Sequence, residues 1–538
     1  MRTAWRLPIS TPHSSQLPAR APVASTTYAT MVNTTKSPRI LVIGAGSRGN
    51  TYARSIHFHS TGTVVGVAEP IELKRNHFVK KYSANQFIYS SWKELLQDAD
   101  RVKAGVDAIC VCTLDETHAE IVTALRPLNL HMLCEKPLAT TFDDCQQILH
   151  SVQAGGTKPI IFAIGHVLRY SPHNILLHKL VVEQELIGEV ININHTEPVG
   201  WWHFAHSYVR GNWRSSHRTA PSLLTKCCHD IDLLLWLLTS PTPSRPIPHL
   251  PARISSHGSL TQFRRSRKPA LAGDATNCVS CPAETDCIYS AKKIYIEGQL
   301  YGNFNTTHWP NTIVAPELLD VEDMASAVVV LTEKLRRDYT PEQAGTKEIE
   351  NNEYYGRCVF EAGNDVVDNQ VVVMEWDDLP SPSESQPFYA TAKTATLTMI
   401  AHTERICDRF TRIYGSKGEI TADRKEIRVY DFKTGTAKVY KPEECLDEGG
   451  GHGGGDVGIS IAFVEAVREV LEKQTEGEGG KEEETRVVKE AQKRWIRCTP
   501  EEAVLSHAMV FAAEDARVGK KVVEVWEWAQ ERGVDVTW

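Results

Sequence analysis

The chain has 538 residues, of which 41% are hydrophobic and 8% aromatic, and a formal net charge of -8 at pH 7. That length supports a large core divided into two domains, and the acidic balance argues against nucleic acid as the main partner. No apolar run is long enough to span a bilayer, and the thirteen cysteines, several inside apolar runs, read as reduced core thiols of a cytoplasmic protein.

Residues 1–37 carry Arg2, Arg6, Arg20 and Lys36 without a single Asp or Glu, among many Ser, Thr, Pro and Ala. They read as a disordered leader or as residues before a true start at Met31, in preference to a mitochondrial targeting segment, because Pro8, Pro12, Pro18 and Pro22 break any long amphipathic helix. The first domain, 38–165, opens with the strand-like run Ile40–Ile43, followed by Gly44-Ala45-Gly46-Ser47-Arg48-Gly49 and a helix reaching His57. In such a loop the first glycine permits a tight turn, the second lets backbone approach a pyrophosphate and the third lets helix pack on strand. A second strand, Val64–Ala68, ends at Glu69, twenty residues beyond Gly49, where a carboxylate can accept from a ribose 2′-hydroxyl. Further strands at 86–89, 108–112, 130–134 and 160–164 alternate with helices at 91–97, 116–125 and 141–152. The expected class is α/β, a Rossmann doubly wound parallel sheet.

At Glu135-Lys136-Pro137, just after the fifth strand, the chain begins to resemble the Gfo/Idh/MocA oxidoreductases, and the likeness runs through nearly everything after residue 38. Ala68-Glu69-Pro70, Thr113 with His118, Arg169-Tyr170-Ser171-Pro172 and Leu224–Leu235 carry it further. The resemblance implies hydride transfer between a secondary hydroxyl of a sugar, polyol or glycoside and NAD, with NADP second because Glu69 would repel its 2′-phosphate. It also implies a homo-oligomer and no membrane or nucleic-acid partner. Cofactor contacts are expected from Gly44, Gly46, Ser47, Arg48, Gly49, Glu69, Thr113, His118, Glu135 and Arg169. The catalytic pair would be Lys136, a cation at the reacting oxygen, and His229, a base with a reference pKa of about 6.5. Where family members commonly show D-x-x-x-H-x-x-D, this chain keeps His229 and Asp232 but has Thr225 in place of the first carboxylate. Two other functions stay open: a redox-neutral NAD-dependent glycosidase or lyase, and a catalytically silent dinucleotide-binding regulator.

The second domain, 166–538, reads as α+β around an open, mostly antiparallel sheet, with strands at 188–197, 328–331, 358–361, 366–376, 395–402, 411–414 and 426–430. Surface-loop insertions are expected near 240–251, 377–393 and 472–490, the last poorly ordered, and a closing helix at 499–518 capped by Thr499, Pro500 and Glu502. Between Gly200 and Arg214, Trp202, His203, Arg210 and Trp213 suit a sugar pocket or, equally, an oligomer interface. Cys278, Cys281 and Cys287 have a C-x2-C-x5-C spacing that can chelate a structural zinc, with His257, Cys227 or Cys228 as fourth ligand, or can stay reduced or form one disulfide. The basic run Arg264, Arg265, Arg267 and Lys268 reads as a solvated loop, and the glycines of 449–455 as a linker or a pocket border.

Overall fold

The computed structural model describes residues 36–533 apart from 154–157, 246, 304, 341, 344–345, 351, 381–387, 443–451 and 477–479, so most of the leader lies outside the described residues. Six parallel strands, β1 (Arg39–Ile43), β2 (Thr63–Ala68), β3 (Phe87–Tyr89), β4 (Ala108–Val111), β5 (His131–Cys134) and β6 (Phe162–Ile164), form one sheet in the order β3-β2-β1-β4-β5-β6. The order reverses between β1 and β4, which opens a crevice at their carboxyl ends. Near-continuous apolar strands are what a sheet covered on both faces demands. Leu41, Ile43, Val65 and Val111 pack into one core, and Ile40, Val42, Val64 and Val67 into another.

The second core is completed from far along the chain. Ile459, Phe463, Val464 and Val467 of the helix Gly455–Glu476, with Val487, Val488 and Ala491 of the helix Lys481–Trp495, pack on that face of the sheet beside Tyr52 and Ile56. This corrects two expectations. The stretch 472–490 is helical on both sides of 477–479 rather than a loop, and the Rossmann sheet is closed by residues well beyond 165. Its charges suggested a linker, but Arg486 pairs with Glu483 and Glu490 along one helix face while the apolar residues occupy the other.

A second sheet of nine strands among the described residues runs Thr436–Tyr440, Ile427–Asp431, Gly418–Ala422, Phe410–Gly415, Val190–Pro198, Lys393–Ile400, Asn369–Trp376, Arg253–Ser259 and Val523–Glu524. All its pairings are antiparallel except that of Lys393–Ile400 with Val190–Pro198. The strand expected at 328–331 is instead part of the helix Met324–Arg336: Ala327, Leu331 and Leu335 recur every four residues and are buried, and Asp323 caps it by accepting from Ser326 N at 2.8 Å. Four-residue packing overrides the β preference of its valines. The expected strand at 358–361 is a turn beyond an isolated bridge of Arg357 with Asn277. Residues 240–245 and 247–251 form irregular stretches, as expected, whereas Leu379–Pro380 pairs with Phe388–Ala390 inside the second expected loop, whose residues 381–387 lie outside the described ones. The closing helix, Pro500–Gly519, carries the full capping box between Thr499 and Glu502.

Candidate functional site

The glycine loop joins β1 to the helix α1 (Ser47–His59) at the crevice. A Cβ on Gly44, whose φ is +95°, would lie 2.6 Å from the Cys112 carbonyl oxygen, and one on Gly49 would lie 1.9 Å from the Gly44 carbonyl oxygen. A Cβ on Gly46, by contrast, would meet nothing within 4 Å. The loop therefore leaves open the one place where a pyrophosphate approaches backbone, above a helix start that no side chain caps. Glu69, at the end of β2, accepts from Ala45 N at 2.7 Å and Ile71 N at 2.9 Å, which fixes its carboxylate beside the glycine loop. These features fit a dinucleotide.

The Lys136 turn is built from buried polar groups. His118 Nδ1 lies 2.9 Å from the Pro137 carbonyl oxygen, and Thr113 accepts from the Thr117 hydroxyl at 2.7 Å. Glu135 accepts from Arg48 Nε at 2.6 Å, the Tyr52 hydroxyl at 2.6 Å and Lys136 N at 2.8 Å. Burial works against its charge, but Arg48, Tyr52 and Lys136 outweigh it and hold the carboxyl below the usual carboxylate range. Arg48 also reaches Asp456 at 2.7 Å, tying the start of the helix Gly455–Glu476 to the glycine loop. Its guanidinium thus faces two carboxylates rather than a phosphate. Arg169 departs from expectation more sharply. Buried, it donates to both Asp232 oxygens at 2.8 Å and to the Arg497 carbonyl at 2.7 Å, and pairs with Glu502 at 3.1 Å. It is a strut between β6 and the C-terminal helices, and Asp232 is its counter-charge.

Lys136 projects from the carboxyl end of β5 and donates to the Thr225 carbonyl oxygen at 2.7 Å. The helix Ser222–Thr239 carries that carbonyl and is buried for nearly its whole length. The backbone at position 225 thus anchors the lysine where the resemblance implied a carboxylate side chain; the Thr225 hydroxyl turns back to the Pro221 carbonyl at 3.3 Å. One turn on, His229 is 1% exposed, with Arg409 Nη2 at 2.8 Å from its Nε2, Asp230 at 3.4 Å and the His452 ring edge-on at 5.7 Å. A guanidinium only donates, so this hydrogen bond assigns the Nε2 lone pair as acceptor and the ring proton to Nδ1. Burial lowers the His229 pKa well below its ordinary value, Asp230 opposes this, and Arg409, Lys136 and His452 reinforce it. The imidazole is held neutral.

Arg409 also pairs with Glu197 at 3.0 Å and with Asp230, which His195 holds at 3.1 Å; Lys226 lies 3.2 Å from Glu197 and 2.9 Å from Cys407 Sγ. Two acids and two bases therefore balance beneath His229. Sequence reasoning missed Arg409, which sits in no recognisable motif. Asp456 and His452 had a faint signal, a glycine string running into a helix, and His452 Nδ1 lies 2.9 Å from Asp456.

Of the aromatic segment, Trp202 packs against Trp309 at 5.5 Å, and His203 meets the same ring edge-on at 5.1 Å. Burial, then Lys226, holds His203 well below its ordinary pKa. Trp213 Nε1 donates to Asp115 at 2.8 Å; burial raises Asp115 to about 6 while His118 and Lys136 oppose it. His203 and Asp115 both feel the Lys136 charge, so His203 and Trp213 border the Lys136 region. Arg210 does not: it turns into the cysteine loop and donates to the carbonyls of Arg357 and Tyr289, both at 2.7 Å, which corrects its assignment to substrate. Cys278, Cys281 and Cys287 line one cavity in that loop, and the cysteines of the described residues are free of disulfides.

Residues 38–161 match the oxidoreductase family with an NAD-binding Rossmann fold. This region belongs to the Gfo/Idh/MocA family. The inositol 2-dehydrogenase of Salmonella paratyphi B is 25% identical over 198 residues, 37% of this chain and 53% of the relative. That of Paracoccus denitrificans is 28% identical over 202 residues, 37% and 54%. The chain spans about half the length of the curated relatives it matches. The likeness in fold extends over most of the chain. Levoglucosan dehydrogenase in complex with NADH and L-sorbose superposes with a TM-score of 0.55 at 13% identity, covering 91% of this chain and 99% of the other. An oxidoreductase from Agrobacterium radiobacter in complex with NAD+, L-tartaric acid and magnesium gives 0.53 at 10% identity, covering 91% and 99%. Among the described residues, no helix is long and apolar enough to cross a membrane.

Proposed function

We propose that the protein oxidises a secondary hydroxyl of a sugar, polyol or glycoside, with NAD preferred to NADP. The observation that carries this reading is Lys136, held on the Thr225 carbonyl 2.7 Å away at the carboxyl edge of β5, beside a neutral buried histidine. Gly46 and the first turn of α1 would hold the pyrophosphate, and Glu69 a ribose hydroxyl. The nicotinamide supplies the hydride-accepting carbon when bound. Lys136 donates to the substrate oxygen and stabilises negative charge as it develops there. His229 receives the hydroxyl proton at Nε2, once Arg409 gives up that lone pair for Asp230 and Glu197, which already hold it. Trp202, His203 and Trp213 border the sugar, as aromatic faces suit its C–H face.

The occupied lone pair also favours a second reading, a dinucleotide-binding regulator without turnover. A panel of inositols, aldoses and anhydrosugars, followed by NADH absorbance and by product analysis, separates the readings. Lys136→Met should lose roughly a thousandfold in kcat while NAD affinity stays within about threefold. Full turnover in that variant would remove Lys136 from the chemistry. Product without net NADH would mark redox-neutral cleavage, and NAD binding without any product would favour the regulator.

Three placements complete the proposal. The inferred partner is a further copy of the chain, on the open face of the nine-stranded sheet, where Asn194, Thr196, Thr396 and Thr398 stand beside Val371 and Val373. Free thiols, most of them buried among the described residues, fit a cytoplasmic location. The Cys278, Cys281 and Cys287 loop is assigned a structural zinc, apart from hydride transfer.

A further inference from the structure

Cys358, distant in sequence from the C-x2-C-x5-C segment, lines the same cavity as Cys278, Cys281 and Cys287. Backbone pairing brings it there. Asn277 and Arg357 form an antiparallel bridge, Cys278 N donates to Gly356 O at 2.8 Å, and Cys358 N donates to Thr276 O at 2.8 Å. The approach leaves no slack, since a Cβ on Gly356 would lie 1.7 Å from the Leu335 carbonyl oxygen. At the other end, Asn277 accepts from Val279 N at 2.8 Å, starting the short helical turn that separates Cys278 from Cys281.

A second observation concerns charge. Arg210 is 2% exposed and has no carboxylate partner among the described residues; it donates to the Cys278 sulfur at 3.3 Å, and its Nη1 has no acceptor. Glu284, the carboxylate that lines the cavity, is taken by Lys292 at 2.5 Å and by the Ser290 hydroxyl. A buried guanidinium without a counter-charge is costly. Neutral thiols do not supply one, and neither does a disulfide. Four thiolates around a divalent cation carry a net charge of two minus, which does.

We propose that Cys278, Cys281, Cys287 and Cys358 form a closed four-thiolate zinc site, with Arg210 as the buried cation that balances its excess negative charge. Binding is an exchange without redox: four S–H bonds are lost, four Zn–S bonds form, and four protons go to solvent. The cavity, about 20 Å³, has room for a single ion, and a four-sulfur donor set suits zinc; the same donor set also suits an iron–sulfur cluster, which iron and acid-labile sulfide analysis tells apart. Cys358 takes the fourth place expected of His257, Cys227 or Cys228. The zinc clamps the segment between the strand Arg253–Ser259 and the strand Asn369–Trp376, leaving the cofactor crevice untouched.

Metal analysis of the full-length protein purified without chelator should find about one zinc per chain, with no iron or acid-labile sulfide. Mercurial titration should release that zinc as four thiols react. Cobalt(II) in its place should show the strong thiolate-to-metal absorption and tetrahedral bands of four sulfur ligands. Cys358→Ser should lower zinc occupancy at least tenfold or weaken the cobalt charge-transfer band, whereas Cys145→Ser should do neither, and NAD affinity should be the same with and without metal. If Cys358→Ser does not fold, the thiol count and the cobalt spectrum of the parent protein decide. The proposal is overturned if reduced protein takes up neither metal, if native mass analysis shows these cysteines joined as disulfides, or if Cys358→Ser keeps full zinc and an unchanged cobalt spectrum.

Discussion

Arg409→Met tests the proton acceptor most directly. The side chain places a fixed positive charge 2.8 Å from His229 Nε2, so it disfavours imidazolium and competes for the lone pair that a hydroxyl proton would take. Two unit charges about 4 Å apart interact by about 4 kcal/mol at an effective dielectric of 20, equivalent to about 3 pKa units. Asp230 offsets part of this, which leaves an expected rise of about 1–2 units when the cation is removed. If neutral His229 is the base, kcat/KM for alcohol oxidation falls as pH drops through its pKa in the free enzyme. In the parent that limb lies well below pH 6.5, because burial and the surrounding cations depress the pKa. In Arg409→Met it should move up by about 1–2 pH units. Thr225→Asp should move it the same way by adding an anion one turn from His229. Removing one cation from the Glu197–Asp230 cluster costs about 3–5 kcal/mol of stability, so circular dichroism must first show a folded variant. Lys226 and His195 keep both acids partnered. The rate profile is read with the best substrate of the panel. A limb that stays in place in Arg409→Met, or that survives in His229→Ala, refutes His229 as the acceptor.

Two further outcomes are expected. Glu69→Ala, which removes the acceptor for Ala45 N and Ile71 N, should narrow the NAD-over-NADP preference by about tenfold in paired titrations, and an NADP preference in the parent protein would reverse the assignment. Acid should weaken the fold through histidines that serve as acceptors: His131 Nδ1 takes Ile161 N at 2.9 Å, His507 Nε2 takes Leu138 N at 2.8 Å, and burial lowers their pKa values to about 4 and about 3. The unfolded chain gains these protons below about pH 6.5 and the folded chain does not, so each contribution is full above that pH and diminishes as pH falls toward 4, by about 2 kcal/mol at pH 5. His131→Asn, which keeps an acceptor near the position of Nδ1, should flatten the fall in melting temperature between pH 7 and pH 5; an unchanged slope would assign the acid lability elsewhere.

What the sequence by itself determined is what local chemistry dictates. Gly44 and Gly49 have no room for a Cβ, the six short apolar runs need both faces covered, and Thr499 with Glu502 satisfies the first turn of its own helix, so each is legible within a few residues. Lys136 and His229 were legible because their spacing places one after a parallel strand and the other on a buried helix. Tertiary structure decided the rest. The valines at 328–330 and the charged tract after 472 looked like strand and linker until packing partners made both helical. Arg169 and Arg210 looked like ligand-binding arginines, yet a buried guanidinium goes wherever the fold supplies acceptors, here Asp232 and two loop carbonyls. Arg409 on His229, Asp456 on Arg48 and Cys358 beside Cys278 join residues far apart in sequence. Their pairing depends on where two sheets and a distant helix place them, and no local periodicity encodes such a meeting.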